Sequence, residues 1–103
     1  MKIRVATWNI FLGHNLKGIL DSININTEFR DVDIFALQEA SIHNGVEDAK
    51  VIAATLGPKY KYYQISAQTI KGLTQANAII WNSEKIKITK KDTFSLPTFE
   101  EAV

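Results

Sequence analysis

The sequence predicts an α/β fold with a mixed sheet and two helices on one face, the architecture of one half of a sheet-on-sheet sandwich. Three observations predict it. Short apolar runs bounded by turn residues alternate with helix-period segments early in the chain. From Lys59 onward, β-branched and aromatic residues dominate instead. Finally, Ile34-Phe35-Ala36-Leu37 and most of residues 76–81 are apolar on both faces of a strand, so two helices on one side leave the other face in need of a second layer. That layer is expected beyond Val103 or from another chain.

The elements follow in order. Residues 3–10 read as a strand, and Gly13-His14-Asn15 as a turn with Asn15 placed to cap a helix. Leu16, Ile19, Leu20 and Ile23 then recur at i, i+3, i+4 and i+7, one face of an amphipathic helix. Residues 34–39 form the buried central strand, followed by the loop Ser41-Ile42-His43-Asn44-Gly45. A second helix is predicted over 46–56, with Val46, Ala49, Ile52, Ala53 and Leu56 on one face and Gly57-Pro58 stopping it. Strands are expected over 60–68 and 74–81, joined by a turn at Lys71-Gly72. The alternation Ile86, Lys87, Ile88, Thr89 predicts a fifth strand over 86–94 with one wet face, broken by Ser95-Leu96-Pro97.

Composition bounds the function. The 103 residues make a single domain at most, and a hydrophobic fraction of 46% with 22% charged residues is that of an ordinary globular chain. A net charge of +1 gives no basis for strong non-specific nucleic-acid binding, although a nuclease with few local contacts stays open. The absence of cysteine excludes disulfides, a thiolate nucleophile and thiolate metal ligation. Met1-Lys2-Ile3-Arg4 leads straight into a strand rather than a secretory signal, and no segment approaches transmembrane length. The expected location is cytoplasmic.

Chemistry concentrates at two strand ends. In Asp33-Ile34-Phe35-Ala36-Leu37-Gln38-Glu39, a carboxylate closes an apolar run, where a charge has little use unless it is paired or holds a cation. Thirty residues earlier, Thr7-Trp8-Asn9-Ile10 brings a polar side chain to the end of another strand. Neighbouring strands delivering Glu39 and Asn9 to one sheet edge would make a site for a hard cation.

These residues carry a resemblance. Thr7-Trp8-Asn9-Ile10, Val32-Asp33-Ile34-Phe35-Ala36-Leu37-Gln38-Glu39-Ala40 and Asn77-Ala78-Ile79-Ile80 look like the endonuclease/exonuclease/phosphatase superfamily, the DNase-I-like fold, with Leu37-Gln38-Glu39 the most specific signal. The resemblance covers essentially the whole chain and implies the N-terminal half of a four-layered α/β sandwich, residues 1–103 being half of a single domain. It implies hydrolysis of phosphate esters with Mg2+ or Mn2+. Glu39 would hold the metal, and Asn9 would offer an amide oxygen to the metal or an N–H to the phosphate. Gln38, on the opposite strand face, is a supporting residue at best.

The departures matter as much. The family's Thr-His-Leu, Gly-Asp-Phe-Asn and Ser-Asp-His motifs, which carry the proton-handling histidines and aspartates, are absent. Phe11 stands where the DNA-repair branch tends to place an acidic residue, which weakens the case for abasic-site cleavage. The implied reading is therefore a metal-dependent phosphoesterase or nuclease half, inactive alone, with a phosphate-ester substrate that includes nucleic acid, inositol phosphates, lipid head groups and nucleotides among its classes. Its alternative is a non-catalytic binding or assembly module whose open sheet pairs with a partner. An unrelated open α/β fold is a third reading, opposed by the β-rich second half. His14 and His43 follow the two site strands and are candidates for lining a substrate groove, the alternative being ordinary exposed loop residues. Trp8 and Trp81 read as core aromatics, and Lys85, Lys87, Lys90 and Lys91 as guards of a strand edge.

Overall fold

The computed structural model describes residues 2–70 and 73–91. Its main sheet has four strands in the order β1 (Val5–Asn9), β2 (Ile34–Ala40), β6 (Leu73–Asn82), β5 (Tyr60–Ile70). β1 and β2 run parallel, and β2–β6 and β6–β5 pair antiparallel. A small hairpin, β3 (Ile42–His43) and β4 (Val46–Glu47), stands apart from this sheet. Helices α1 (Leu16–Ile25) and α2 (Asp48–Leu56) complete the described regular structure, with 3-10 turns at Phe11–Gly13 and Thr27–Asp31.

Each helix has its predicted punctuation. Asn15 caps α1 by accepting the Gly18 N–H at 3.3 Å, and Gly57, at φ +138°, ends α2 in a conformation open to glycine. Arg30 joins the two helices. Its guanidinium donates to the carbonyls of Ile23, Thr55 and Leu56 at 3.0, 3.0 and 2.9 Å, satisfying groups that the last turns of both helices leave unpaired.

Both helices lie on one face of the sheet. Ile23, Ile52, Ala53 and Leu56 from the helices meet Phe35, Leu37, Ala78 and Ile80 from the strands in one buried cluster. The opposite face, set by the register Val5↔Ile34↔Trp81 and Thr7↔Ala36↔Ile79, has no helical cover among the described residues. Val5 there is 62% exposed, and Ile34, Ala36 and Ile79 are half-buried. β2 is thus interior to the sheet but buried fully on one face alone, against the expectation of burial on both. The mixed α/β architecture with two helices on one face is as predicted.

Three boundaries need correction. Residues 86–91 form no strand; Lys91 instead places its ammonium 4.4 Å from the centre of the Tyr63 ring. Tyr63 belongs to the open face through its pairing with Ile79, so the chain after β6 runs back over that face instead of extending the sheet. The alternation in 86–90 records a segment laid on a surface, which has the same period as a strand. The rest of the expected fifth strand, the Ser95-Leu96-Pro97 break and the Lys71-Gly72 turn lie outside the described residues. α2 begins at Asp48, not Val46, and Val46 is 40% exposed in the hairpin. The expected loop at 41–45 is that hairpin, turned by Asn44 (φ +52°) and Gly45 (φ +78°), a left-handed pair suited to a two-residue turn.

Candidate functional site

β1 and β2 end side by side, with Asn9 opposite Gln38. Regular alternation would place Asn9 and Gln38 on the open face and Glu39 with Leu37 on the helical face. Glu39 escapes that alternation. Its φ is +54°, and the β2–β6 register shifts between Leu37 and Ala40, a bulge that re-aims the carboxylate. The Asn9 side-chain N–H consequently donates to Glu39 Oε2. A left-handed non-glycine residue costs on the order of 1 kcal/mol, and such conformations collect where a side chain must be held in a set direction.

Asn9 uses its amide at both ends. Oδ1 accepts the Phe11 N–H at 3.0 Å while Nδ2 serves Glu39. The amide oxygen is thus taken by backbone, and Asn9 acts here as the group that orients the carboxylate. Glu39 Oε1 has no protein partner among the described residues. Gln38 turns aside and donates to the carbonyl of Ala36 at 3.2 Å.

The turn after β1 is left-handed at three successive residues: Phe11 (φ +49°), Leu12 (+58°) and Gly13 (+70°). Only the last of these is a glycine, so the turn persists because its surroundings fix it. Its backbone ties are Gly13 N–H to the Ile10 carbonyl at 2.9 Å and His14 N–H to that of Phe11 at 3.2 Å. His43 adds a side-chain tie, its Nε2 lying 2.9 Å from the Leu12 carbonyl. A carbonyl only accepts, so Nε2 carries a hydrogen.

Behind His43 lies a buried carboxylate. Asp48, 1% exposed in the first turn of α2, has Oδ1 3.4 Å from His43 Nε2 and accepts the Ser41 N–H on Oδ2 at 2.9 Å. Burial pushes its carboxyl above the usual range, opposed by the Ser41 N–H and by His43. Gln64 closes the cluster from β5, accepting from the Ala49 N–H at 3.1 Å and donating to the Ser41 carbonyl at 2.9 Å. Gly13 packs so closely here that a Cβ on it would come within 2.5 Å of Asp48 Oδ2 and 2.8 Å of His43 Nε2.

Of the four residues singled out from sequence, Asn9 and Glu39 therefore meet, and His43 is joined to them only through the turn. His14 is exposed at the end of that turn and makes no side-chain hydrogen bond to Asn9 or Glu39 among the described residues. No group of three or more His, Cys, Asp or Glu side chains is placed to hold a metal among the described residues. Mg2+ needs less than that: one or two carboxylates suffice when water and substrate oxygens complete its octahedron. A single oriented carboxylate with a free oxygen fits that requirement as one corner of a site.

The sequence reading missed Asp48 and Asp33. The first looks like an ordinary helix N-terminal acid, and the second stands immediately before the apolar run that begins at Ile34. Asp33 is 2% exposed at the far end of the sheet from Glu39, and its carboxyl is held below the usual range chiefly by the Arg4 N–H at 3.0 Å. Asn82 and Lys85 assist, and burial opposes. It stands in a cleft of about 430 Å3 lined also by Lys2, Arg4, Arg30, Lys59 and Lys85. Comparison with protein-family models, with curated proteins and with solved structures found no match. Among the described residues, no helix is long and apolar enough to cross a membrane.

Proposed function

We propose that this chain carries the metal-holding half of a phosphoesterase or nuclease of the endonuclease/exonuclease/phosphatase type, acting on phosphate esters with Mg2+ or Mn2+. The observation that supports the reading is the Asn9–Glu39 pair: two side chains thirty residues apart, carried to one sheet edge by parallel strands, with the carboxylate re-aimed by a left-handed residue. Glu39 is the metal ligand, and Asn9 fixes which way its carboxylate faces. Bound there, the cation supplies charge neutralisation for the phosphate and leaving-group oxygens. Glu39 and Asn9 contribute no general acid or base to this chemistry. The proton-handling residues of the family belong to motifs that have no counterpart in these 103 residues.

The test is hydrolysis by protein in which the remaining motifs are supplied, on the same polypeptide or on a second one. Glu39→Gln there is expected to abolish turnover of a phosphodiester such as bis(4-nitrophenyl) phosphate, while leaving the fold intact by circular dichroism. Undiminished turnover sinks the ligand assignment.

A second reading draws on the sheet face left without helical cover, where Val5 is 62% exposed. In it the chain is a non-catalytic module that buries this face against a partner. A defined oligomer in light scattering, together with no effect of Mg2+ or Mn2+ on the unfolding midpoint, would favour it over the hydrolase.

A further inference from the structure

We propose that His43, packed against Asp48, is a positioning residue that clamps the left-handed turn at 11–13 and through it sets Asn9 and the Glu39 carboxylate. The consequence for metal binding rests on the hydrolase reading above; the clamp itself rests on geometry alone. The chain of contacts is continuous. Asp48 Oδ1 lies 3.4 Å from His43 Nε2, whose hydrogen goes to the Leu12 carbonyl at 2.9 Å. One residue back, the Phe11 N–H goes to Asn9 Oδ1 at 3.0 Å, and the other end of that amide holds Glu39.

The turn needs such a clamp. Phe11 and Leu12 occupy a region that side chains with a Cβ avoid, so any loosening lets both relax to ordinary φ. Relaxation swings the Phe11 N–H away from Asn9, and a released Asn9 amide is free to rotate off Glu39. The other groups facing the clamp favour the same arrangement. Ser41 and Gln64 lock Asp48 and the first turn of α2 from behind, and Gly13 lets the turn sit against both Asp48 and His43, where a Cβ would collide. Among the described residues Asp48 Oδ1 has no hydrogen-bond partner, and the His43 imidazole edge lies 3.4 Å from it. A histidine serving only as hairpin surface would need neither the carbonyl nor the carboxylate.

The experiment compares the wild-type chain with His43→Leu and His43→Gln by 15N NMR. Leucine fills the space with no donor, whereas glutamine offers an N–H that reaches toward the Leu12 carbonyl. The Phe11 backbone amide and the Asn9 side-chain amide are expected to move toward unstructured positions in His43→Leu and to return in His43→Gln. Mn2+ affinity, read from line broadening, is expected to fall at least threefold in the first and recover in the second. Unmoved Asn9 and Phe11 signals in a folded His43→Leu variant overturn the clamp. Should that variant fail to fold, the ring nitrogens of wild-type His43 decide: a protonated Nε2 with slowed exchange supports the clamp, and a bare Nε2 overturns it. Absence of Mn2+ binding by the wild type would remove the hydrolase reading, while the Asn9 and Phe11 signals still judge the clamp.

Discussion

Asn9 donates its side-chain N–H to the carboxylate of Glu39 although, in the register of β1 and β2, Asn9 stands opposite Gln38. The contact exists because one residue leaves the extended conformation. With φ at +54°, Glu39 steps out of the alternation that would have sent it toward the helices with Leu37 and Phe35. The pair therefore reports two things at once: strand neighbours fixed by hydrophobic pairing, and a local distortion that gives one carboxylate a new direction.

That arrangement predicts the behaviour of Asn9→Asp. Aspartate still accepts the Phe11 N–H, but it sets a second negative charge against Glu39 in place of a donor. At pH 7 the variant is expected to unfold a few degrees below wild type, corresponding to roughly 1 kcal/mol. Mg2+ or Mn2+ is expected to restore more stability to this variant than it adds to wild type, because two carboxylates now face the ion. Thermal scans with and without the cation check both expectations.

Gly13→Ala tests the packing behind the turn. At φ +70° alanine is strained, and its Cβ would come within 2.5 Å of the buried Asp48 carboxylate. The expected loss is about 2 kcal/mol or more by urea denaturation. Gly45→Ala is the control, since a Cβ there meets nothing within 4 Å; its loss is expected to be about 1 kcal/mol, from backbone strain alone.

Arg30→Lys keeps the charge and discards the fork. Lysine cannot serve the carbonyls of Ile23, Thr55 and Leu56 together. Stability is expected to fall by about 2–3 kcal/mol, with the amides at the ends of both helices losing hydrogen-exchange protection first.

Two buried carboxyls give opposite pH signatures. Asp33 is held below its ordinary value, so its contribution to stability is present above the unfolded-state value and is lost as pH falls through the folded one. Asp33→Asn is therefore expected to flatten the acid limb of the stability profile. Asp48 is raised by burial, so its contribution is full below the unfolded-state value and is lost as pH rises through the folded one. Asp48→Asn keeps an oxygen for the Ser41 N–H and is expected to gain on wild type as pH rises from about 4 toward neutrality. Urea midpoints across that range separate the two.

Hydrophobic period carried most of the fold in the sequence. Leu16, Ile19, Leu20 and Ile23 announced α1 by their spacing, and the unbroken apolar run Ile34-Phe35-Ala36-Leu37 announced the interior strand, though it is buried fully on one face alone. The same signal misled at 86–90, where a segment crossing the open face alternates as a strand would. Glu39 and Asn9 were legible as strand-end polar groups. The bulge that joins them was not, since a left-handed glutamate leaves no mark in composition or spacing. The contact between His43 and Asp48 stayed hidden for a related reason: five residues apart across a tight hairpin, they meet only once Asn44 and Gly45 reverse the chain.

The most direct measurement is a Mn2+ titration of the 15N-labelled chain followed by paramagnetic broadening, with Glu39→Gln alongside. Broadening centred on Asn9, Glu39 and Ala40 in wild type, weakened at least tenfold in apparent affinity by the substitution, about 1.4 kcal/mol, is the predicted result. Equal broadening in both proteins, or broadening centred on Asp31 and Asp33 at the far end of the sheet, would contradict Glu39 as the cation's ligand.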